Sequence, residues 1–130
     1  GHVVASNIIK GNKKKVSYPP MPSVVFTLPT MATVGLLEDD AKEKGYDINV
    51  NFEKVDNWFN ARRLNVDEYA YKTIIDKNNN TILGAHLIGP HCEETINLFA
   101  MAIKTKMTIS DLRTMVFSYP TMASDLTYML

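Results

Sequence analysis

A predicted β-hairpin that leads directly into a long amphipathic helix constrains this fold more than any other part of the sequence. Residues 68–76 and 81–89 have the pattern of strands, and the Lys-Asn-Asn-Asn turn between them tolerates left-handed backbone. From Pro90 the apolar residues follow a helical period, which continues to Met107. Strand and helix segments together predict a single α+β domain.

The predicted helix after Pro90 is apolar on two sides. One face carries apolar residues at positions 96, 99, 100, 103 and 107, and a second face is formed by Leu98, Met101 and Ala102. A helix with two apolar faces must bury both, one of them on its own sheet. Either this helix lies between two layers of the same domain, or its outer face meets another subunit. We favour a subunit interface, with contacts from Leu98, Phe99, Met101 and Ala102.

Composition excludes several classes of function. The 130 residues are 45% hydrophobic and carry no net formal charge, so the chain lacks the basic surface of a nucleic-acid binder. No apolar run approaches the ~20 residues of a membrane span. With one cysteine, Cys92, the chain cannot form an internal disulfide, and its three histidines do not have metal-ligand spacing. We therefore expect no metal site and a reducing, cytoplasmic setting.

The first 22 residues differ from the remainder. Residues 3–10 have the pattern of the last turns of an amphipathic helix, which Gly11 would end. Residues 12–22 are charged and then rich in proline, as in a connector. We therefore expect residues 1–22 to belong to a preceding unit and its connector, and residues 23–130 to form the compact domain. A helix without a visible start suggests a fragment of a longer protein.

Shorter segments complete the predicted domain. Residues 23–27 and 33–36 are strand-like, and residues 48–52 alternate apolar and polar as a half-buried strand does. Residues 37–45 predict a short helix that is acidic at its start. Asp56 or Asn57 could cap one helical turn, and Thr108 or Ser110 could cap a helix over residues 111–115.

Side chains of chemical interest do not form a complete active site. His86 lies within a predicted strand and is better explained as a hydrogen-bonded structural histidine. Cys92 stands at a helix start, where a thiolate would be stabilised, although a lone cysteine there is more often a small packed hydrophobe. The sequence contains no glycine-rich phosphate loop, GxSxG elbow or HExxH motif.

Four segments in order resemble one known family. They are residues 22–27 (Pro-Ser-Val-Val-Phe-Thr), 32–36 (Ala-Thr-Val-Gly-Leu), 83–89 (Leu-Gly-Ala-His-Leu-Ile-Gly) and the turn Tyr119-Pro120-Thr121. Together they resemble the C-terminal dimerisation domain of the pyridine-nucleotide disulfide oxidoreductases. That family includes glutathione reductase, dihydrolipoamide dehydrogenase and mercuric reductase.

The resemblance implies a fold and a context. It implies a mixed or antiparallel sheet with helices packed on it, and a two-fold homodimer. It also implies a parent enzyme that passes a hydride from NAD(P)H to FAD and on to a disulfide or another small acceptor. The cofactor-binding glycines and redox cysteines of such a parent lie upstream, so we expect these 130 residues to bind no cofactor and to be inactive alone.

One substitution bears on the chemistry that the resemblance implies. Typical members have His-Pro-Thr, and a glutamate five residues after the histidine orients it for proton transfer. Here Tyr119 stands at the histidine position and Ser124 at the glutamate position. A phenol, which loses its proton only near pH ~10, cannot replace imidazole as a base at neutral pH. Tyr119 would instead donate a hydrogen bond in the partner's active site or, with Pro120, pack at the interface.

The sequence leaves two other functions open. The chain could be a non-catalytic assembly or binding module in which the Tyr119 loop is only a contact surface. Alternatively, its parent could be a flavin oxidoreductase that acts on a non-disulfide acceptor, which the missing histidine would favour.

Overall fold

The computed structural model describes residues 1–130 and contains one five-stranded antiparallel sheet in the order β1-β2-β5-β4-β3. The strands are β1 (Ser23–Val25), β2 (Met31–Gly35), β3 (Ile48–Lys54), β4 (Ala70–Asp76) and β5 (Thr81–Ile88). The helices are α1 (His2–Lys10), α2 (Glu38–Glu43), α3 (Phe59–Leu64), α4 (Cys92–Thr105) and α5 (Ile109–Thr114), followed by a final 3₁₀ helix, Met122–Tyr128. The predicted α+β fold is confirmed, and its sheet is antiparallel.

The predicted hairpin forms the centre of the sheet. β4 pairs with β5 along its length, and β5 pairs on its other side with β2. The β2–β5 pair brings Gly35 opposite Gly84, and a Cβ on Gly84 would lie 2.1 Å from the carbonyl oxygen of Leu36. Glycine is required there because backbone, which cannot move aside cheaply, fills the space.

Helix α4 packs across β2 and β5 and supplies much of the core. Ile96, Phe99 and Ala102 follow one another at helical spacing and are buried against the sheet. The prediction that Phe99 and Ala102 are interface residues was wrong, because both point inward and are 0% and 2% exposed. The outer face carries Leu98, which is half-buried, and Met101, which is 63% exposed.

The opposite face of the sheet is only partly covered. Helix α2 lies over it, with Glu38 paired to Lys42 in its own helix and to Lys72 on β4. Beyond α2, the Phe52 side chain is 72% exposed, although the alternating pattern predicted it on a buried side. β3 is an edge strand. No other element packs against the later part of this strand on the side where Phe52 lies.

The predicted helix before the connector is present as α1. None of its residues is buried, and Gly11 ends it with a positive φ of 75°. Asn7 joins it to the connector through two hydrogen bonds with the backbone of Lys14, each 2.9 Å long. None of the helices combines the length and hydrophobicity needed to cross a bilayer.

Two predicted helix starts had different outcomes. Helix α5 begins with a capping box between Thr108 and Asp111, so Thr108 is the cap of the two residues considered, and the helix starts two residues earlier than predicted. Helix α3 does not use Asp56 or Asn57. Its N-cap is Trp58, which makes no side-chain capping bond.

Candidate functional site

The Tyr-Pro-Thr turn leads into the final 3₁₀ helix through a local set of hydrogen bonds. The Thr121 hydroxyl accepts from the backbone N–H of Ser124 at 3.3 Å and donates to the carbonyl of Ser118 at 2.6 Å. The Ser124 hydroxyl donates to the Thr121 carbonyl at 2.6 Å. These bonds give the turn a defined shape from residues within the turn itself.

Helix α3 attaches this turn to the remainder of the domain. The side-chain amide of Asn60, which is fully buried, donates to the Thr121 carbonyl and to a carboxylate oxygen of Asp125, both at 2.9 Å. Arg63, one turn later on α3, donates to the Asn60 side-chain oxygen at 3.2 Å. Donors and acceptors of Asn60 are thus occupied, as a buried amide requires.

Asp125 is the acidic centre of this buried network. Besides Asn60, the Tyr69 hydroxyl donates to it at 3.2 Å, and both Asp125 and Tyr69 are buried. Burial raises the pKa of the Asp125 carboxyl, and the hydrogen bonds from Asn60 and Tyr69 offset this only in part. Burial also raises the pKa of the Tyr69 phenol. The negative charge of the neighbouring Asp125 carboxylate raises it further, because it disfavours a phenolate beside it.

The same helix holds aromatic side chains of the tail. The Phe59 ring stacks on Tyr119, with ring centroids 5.7 Å apart and an angle of 28° between the planes. Trp58 contacts Tyr69, Tyr71 and Tyr128 at centroid distances of 6.1, 5.8 and 6.0 Å. Although stacked, Phe59 is 55% exposed and Tyr119 is 70% exposed. Their contact therefore lies at the surface.

A groove of about 480 Å³ separates this turn from the first half of α4. Its lining residues come from α3, α4 and the turn: Arg63, His91, Glu94, Thr95, Leu98, Pro120, Thr121, Met122 and Ala123. The predicted contacts Leu98 and Pro120 thus both line this groove, and the exposed Met101 follows Leu98 by three residues on α4. We call this surface, formed by Leu98, Met101, Pro120 and Tyr119, the α4–loop surface.

The dimerisation-domain model of the pyridine nucleotide-disulphide oxidoreductases matches residues 21–130. The chain belongs to this family. This confirms the resemblance found in the sequence, and it accounts for an antiparallel sheet with one long helix beside a Tyr-Pro-Thr turn.

Relatives of this dimerisation domain include proteins of very different length. A 19.7 kDa protein of the Staphylococcus aureus mercuric resistance operon is 48% identical over 129 residues, which are 99% of this chain and 72% of the relative. The mercuric reductase of Lysinibacillus sphaericus is 34% identical over 97% of this chain but only 23% of the reductase. The chain spans about a quarter of the length of such reductases.

A solved structure shows the same fold. The HOCl-induced flavoprotein disulfide reductase RclA from Escherichia coli superimposes with a TM-score of 0.86 at 29% identity, covering 98% of this chain and 30% of that protein.

Tyr119 and Ser124, predicted at the family's histidine and glutamate positions, are not joined by a hydrogen bond. The hydroxyl of Ser124 donates to Thr121, and the Tyr119 ring stacks on Phe59. A serine hydroxyl is too short to replace a glutamate that reaches back along the turn. The roles predicted for Tyr119 and Ser124 remain predictions.

Cys92 and His86, the two other residues considered from the sequence, are held within the structure by packing and hydrogen bonds. Cys92 is buried, and burial raises the pKa of its thiol to about 12, so it packs as a small hydrophobe. His86 is hydrogen-bonded at both ring nitrogens, to the Thr33 hydroxyl at 2.6 Å and the Leu36 carbonyl at 3.2 Å. No three His, Cys, Asp or Glu side chains are grouped to hold a metal ion.

The residues present do not fit a site for FAD or NAD(P)H. Dinucleotide-binding folds hold the pyrophosphate where a parallel strand crosses over through a helix N-terminus. Every strand pair in this domain is antiparallel. The domain therefore lacks the crossover of a Rossmann-type dinucleotide site.

Sequence reasoning missed the part played by α3. The sequence pattern predicted only one helical turn after Asp56 or Asn57, and it did not mark Phe59, Asn60 or Arg63 as site residues. The adjacent aromatic residues Trp58 and Phe59 were a signal that this turn packs against something. Tyr119, the partner of Phe59, lies about 60 positions later, and no local pattern identifies it.

Proposed function

We propose that this domain dimerises through the α4–loop surface and presents Tyr119-Pro120-Thr121 to the active site of a partner subunit in an FAD-dependent NAD(P)H oxidoreductase. The observation that carries the proposal is the groove that Leu98 on α4 and Pro120 of the turn both line, with the exposed Met101 three residues after Leu98 on the same helix. Met101 exposes a large apolar side chain, and burial of such surface favours association.

In this role the chain contributes the subunit contact and the Tyr119 turn rather than cofactor-binding groups. FAD and NAD(P)H would belong to other domains of the assembly, and the acceptor would be a disulfide or another small oxidant. The Tyr119 hydroxyl, on a ring that is 70% exposed, is available to donate a hydrogen bond to a group in the partner. The absence of histidine at this position favours an acceptor that does not need proton transfer from this residue.

The test is the oligomeric state of the 130-residue chain and two matched variants. Sedimentation equilibrium at micromolar concentration should show a dimer for the native chain. Met101→Glu places a charge in the contact and should shift the equilibrium towards monomer, because an unpaired buried charge is strongly disfavoured. Met21→Glu, at a methionine in the connector that is 64% exposed, should leave the dimer intact.

Two results would contradict the proposal. A native chain that remains monomeric across this concentration range has no such interface by itself. Equal weakening by Met101→Glu and Met21→Glu would mean that charge, rather than the α4–loop surface, controls association.

A second candidate, an assembly module without a catalytic parent chain, is favoured by the Staphylococcus aureus relative. Since 129 residues are 72% of that protein, roughly 50 residues lie outside the match. A remainder of that size is too short for two cofactor-binding domains, because domains typically exceed this length. Such a module could form mixed dimers with a full-length reductase.

Mixing experiments distinguish the two candidates. The chain would be incubated with the mercuric reductase of Lysinibacillus sphaericus, and masses would be measured by light scattering after size-exclusion chromatography. A mixed dimer that Met101→Glu abolishes supports the assembly module. Self-association without mixed dimers argues against it.

A further inference from the structure

Three consecutive residues at the start of α3 each hold a different part of the tail. Trp58 contacts Tyr128 at the end of the 3₁₀ helix, Phe59 stacks on Tyr119, and Asn60 bonds to Thr121 and Asp125. Successive residues of a helix point in different directions, about 100° apart. A single short helix can therefore fix the turn from three sides.

Only the Asn60 contact is internal, since Tyr128 and Tyr119, the partners of the other two residues, are 72% and 70% exposed. Asn60 is fully buried and its hydrogen bonds hold the backbone of the turn. The Phe59 ring, by contrast, leaves 55% of its surface exposed, and the Tyr119 ring leaves 70%. A phenylalanine that served only the stability of this domain would gain more from full burial. The position of Phe59 is better explained by what it does to Tyr119.

The backbone beneath Phe59 is well anchored. Asn60 and Ala61, the next two residues of α3, are both fully buried. Tyr119 itself has no comparable anchor, since the hydrogen bonds of the turn involve Ser118, Thr121 and Ser124 and leave the phenol unrestrained. The stacked Phe59 ring is the contact that selects one orientation of the Tyr119 side chain.

We propose that Phe59 is a positioning residue, which holds Tyr119 in the orientation that meets the partner. In the dimer, these two stacked rings of one chain together contact a second copy of the chain. This inference rests on the proposed function, because it concerns how the same turn is presented. It extends the α4–loop surface to a residue on α3. Tyrosine and other aromatic residues are well suited to such contacts because their large rings lose little conformational freedom.

Tyrosine side-chain NMR tests the orientation without any requirement for dimerisation. The chain has six tyrosines, which ring-labelled tyrosine would make visible. Phe59→Leu keeps an apolar side chain but removes the ring, and should move the Tyr119 resonances towards those of a free tyrosine. Tyr69 and Tyr128, which contact Trp58 instead, should keep their shifts and report that the fold is intact. Phe59→Trp should restore the Tyr119 shift, since it restores a stacking ring.

The matched control is Phe52→Leu. Phe52 is 72% exposed and lies on the uncovered side of β3, so the same exchange there should not affect Tyr119. If Phe59→Leu leaves the Tyr119 resonances unchanged, the turn alone orients the ring and the inference is wrong. Movement of all six tyrosines would also overturn it, because Phe59 would then be a general structural residue.

Sedimentation of the same variants tests the contact with the partner. Phe59→Leu should weaken self-association by roughly two- to tenfold, the range expected for loss of one aromatic pair, and Phe59→Trp should restore it. Unchanged association, in a variant whose Tyr119 resonances have moved, would overturn the contact role. If the native chain is monomeric, the proposed dimer fails while the NMR result still decides whether Phe59 orients Tyr119.

Discussion

Asn60 and Asp125, which are 65 residues apart in the sequence, are joined by a hydrogen bond of 2.9 Å between the side-chain amide and a carboxylate oxygen. Because Asn60 also donates to the Thr121 carbonyl, one amide group connects α3 to the end of the Tyr-Pro-Thr turn and to the 3₁₀ helix that follows it. The position of the candidate site over the sheet therefore depends on a buried polar side chain as well as on apolar packing.

Asn60→Ala should destabilise the domain by about 1–3 kcal/mol, because it leaves the Thr121 carbonyl and the Asp125 carboxylate with fewer donors in a buried site. Chemical unfolding in urea, followed by tryptophan fluorescence, would measure the change. Asn7→Ala is the matched control. Asn7 also makes two side-chain hydrogen bonds, but it is on the solvent-accessible helix α1, so its loss should have little effect. Equal effects at both positions would show that the loss of stability does not depend on the burial of Asn60.

Asp125→Asn should change how stability depends on pH. Burial raises the folded-state pKa of Asp125 above its ordinary value of 3.8, so the folded chain holds this proton where the unfolded chain has lost it. The contribution of Asp125 to stability is then full below pH ~3.8 and declines as pH rises through the raised pKa. Asparagine has no such proton. The free energy of unfolding of the variant, relative to the native chain, should therefore increase with pH across this window.

Glu38→Gln should give the opposite slope in the same series of urea titrations. Hydrogen bonds from Lys42 and Lys72 lower the pKa of Glu38 from 4.5 to about 2. The contribution of Glu38 is present above pH 4.5 and is lost as pH falls towards 2. The difference between native chain and variant should shrink over that range. If both variants showed the same slope, burial of Asp125 would not dominate its titration.

Phe99→Ala should cost about 3–5 kcal/mol, since it opens a cavity beneath α4 in the centre of the core. Met101→Ala, two residues away on the exposed side of the helix, should change the free energy of unfolding by less than about 0.5 kcal/mol at concentrations where the chain is monomeric. Thermal or urea unfolding would measure both. Similar costs at the two positions would mean that Met101 also packs within the domain.

Secondary structure was largely predictable from local patterns. The hairpin of β4 and β5, helix α4 and the Thr108 cap each follow from periodicity or from short-range hydrogen-bonding chemistry. Predictions failed where a neighbour distant in sequence decides the outcome. The Trp58 ring packs among three tyrosines outside α3, and Phe52 is exposed because α2 covers only part of the face on which it lies.

The two faces of α4 show the same limit in the candidate site. Both faces are apolar in sequence, so composition alone did not assign Phe99 and Ala102 to the core and Met101 to the surface. The position of the sheet relative to the helix made that choice. With the helix lying on β2 and β5, Ile96, Phe99 and Ala102 point inward.

The sequence by itself determined the family, the α+β elements and the turn that carries Tyr119, because these depend on residue types at short spacing. Only the tertiary structure decided that Phe59 stacks on Tyr119 and that Asn60 holds Thr121 and Asp125. Those contacts join α3 to a tail about 60 residues later. Their physical basis is the packing of the chain around its core, which fixes distances that no local pattern contains.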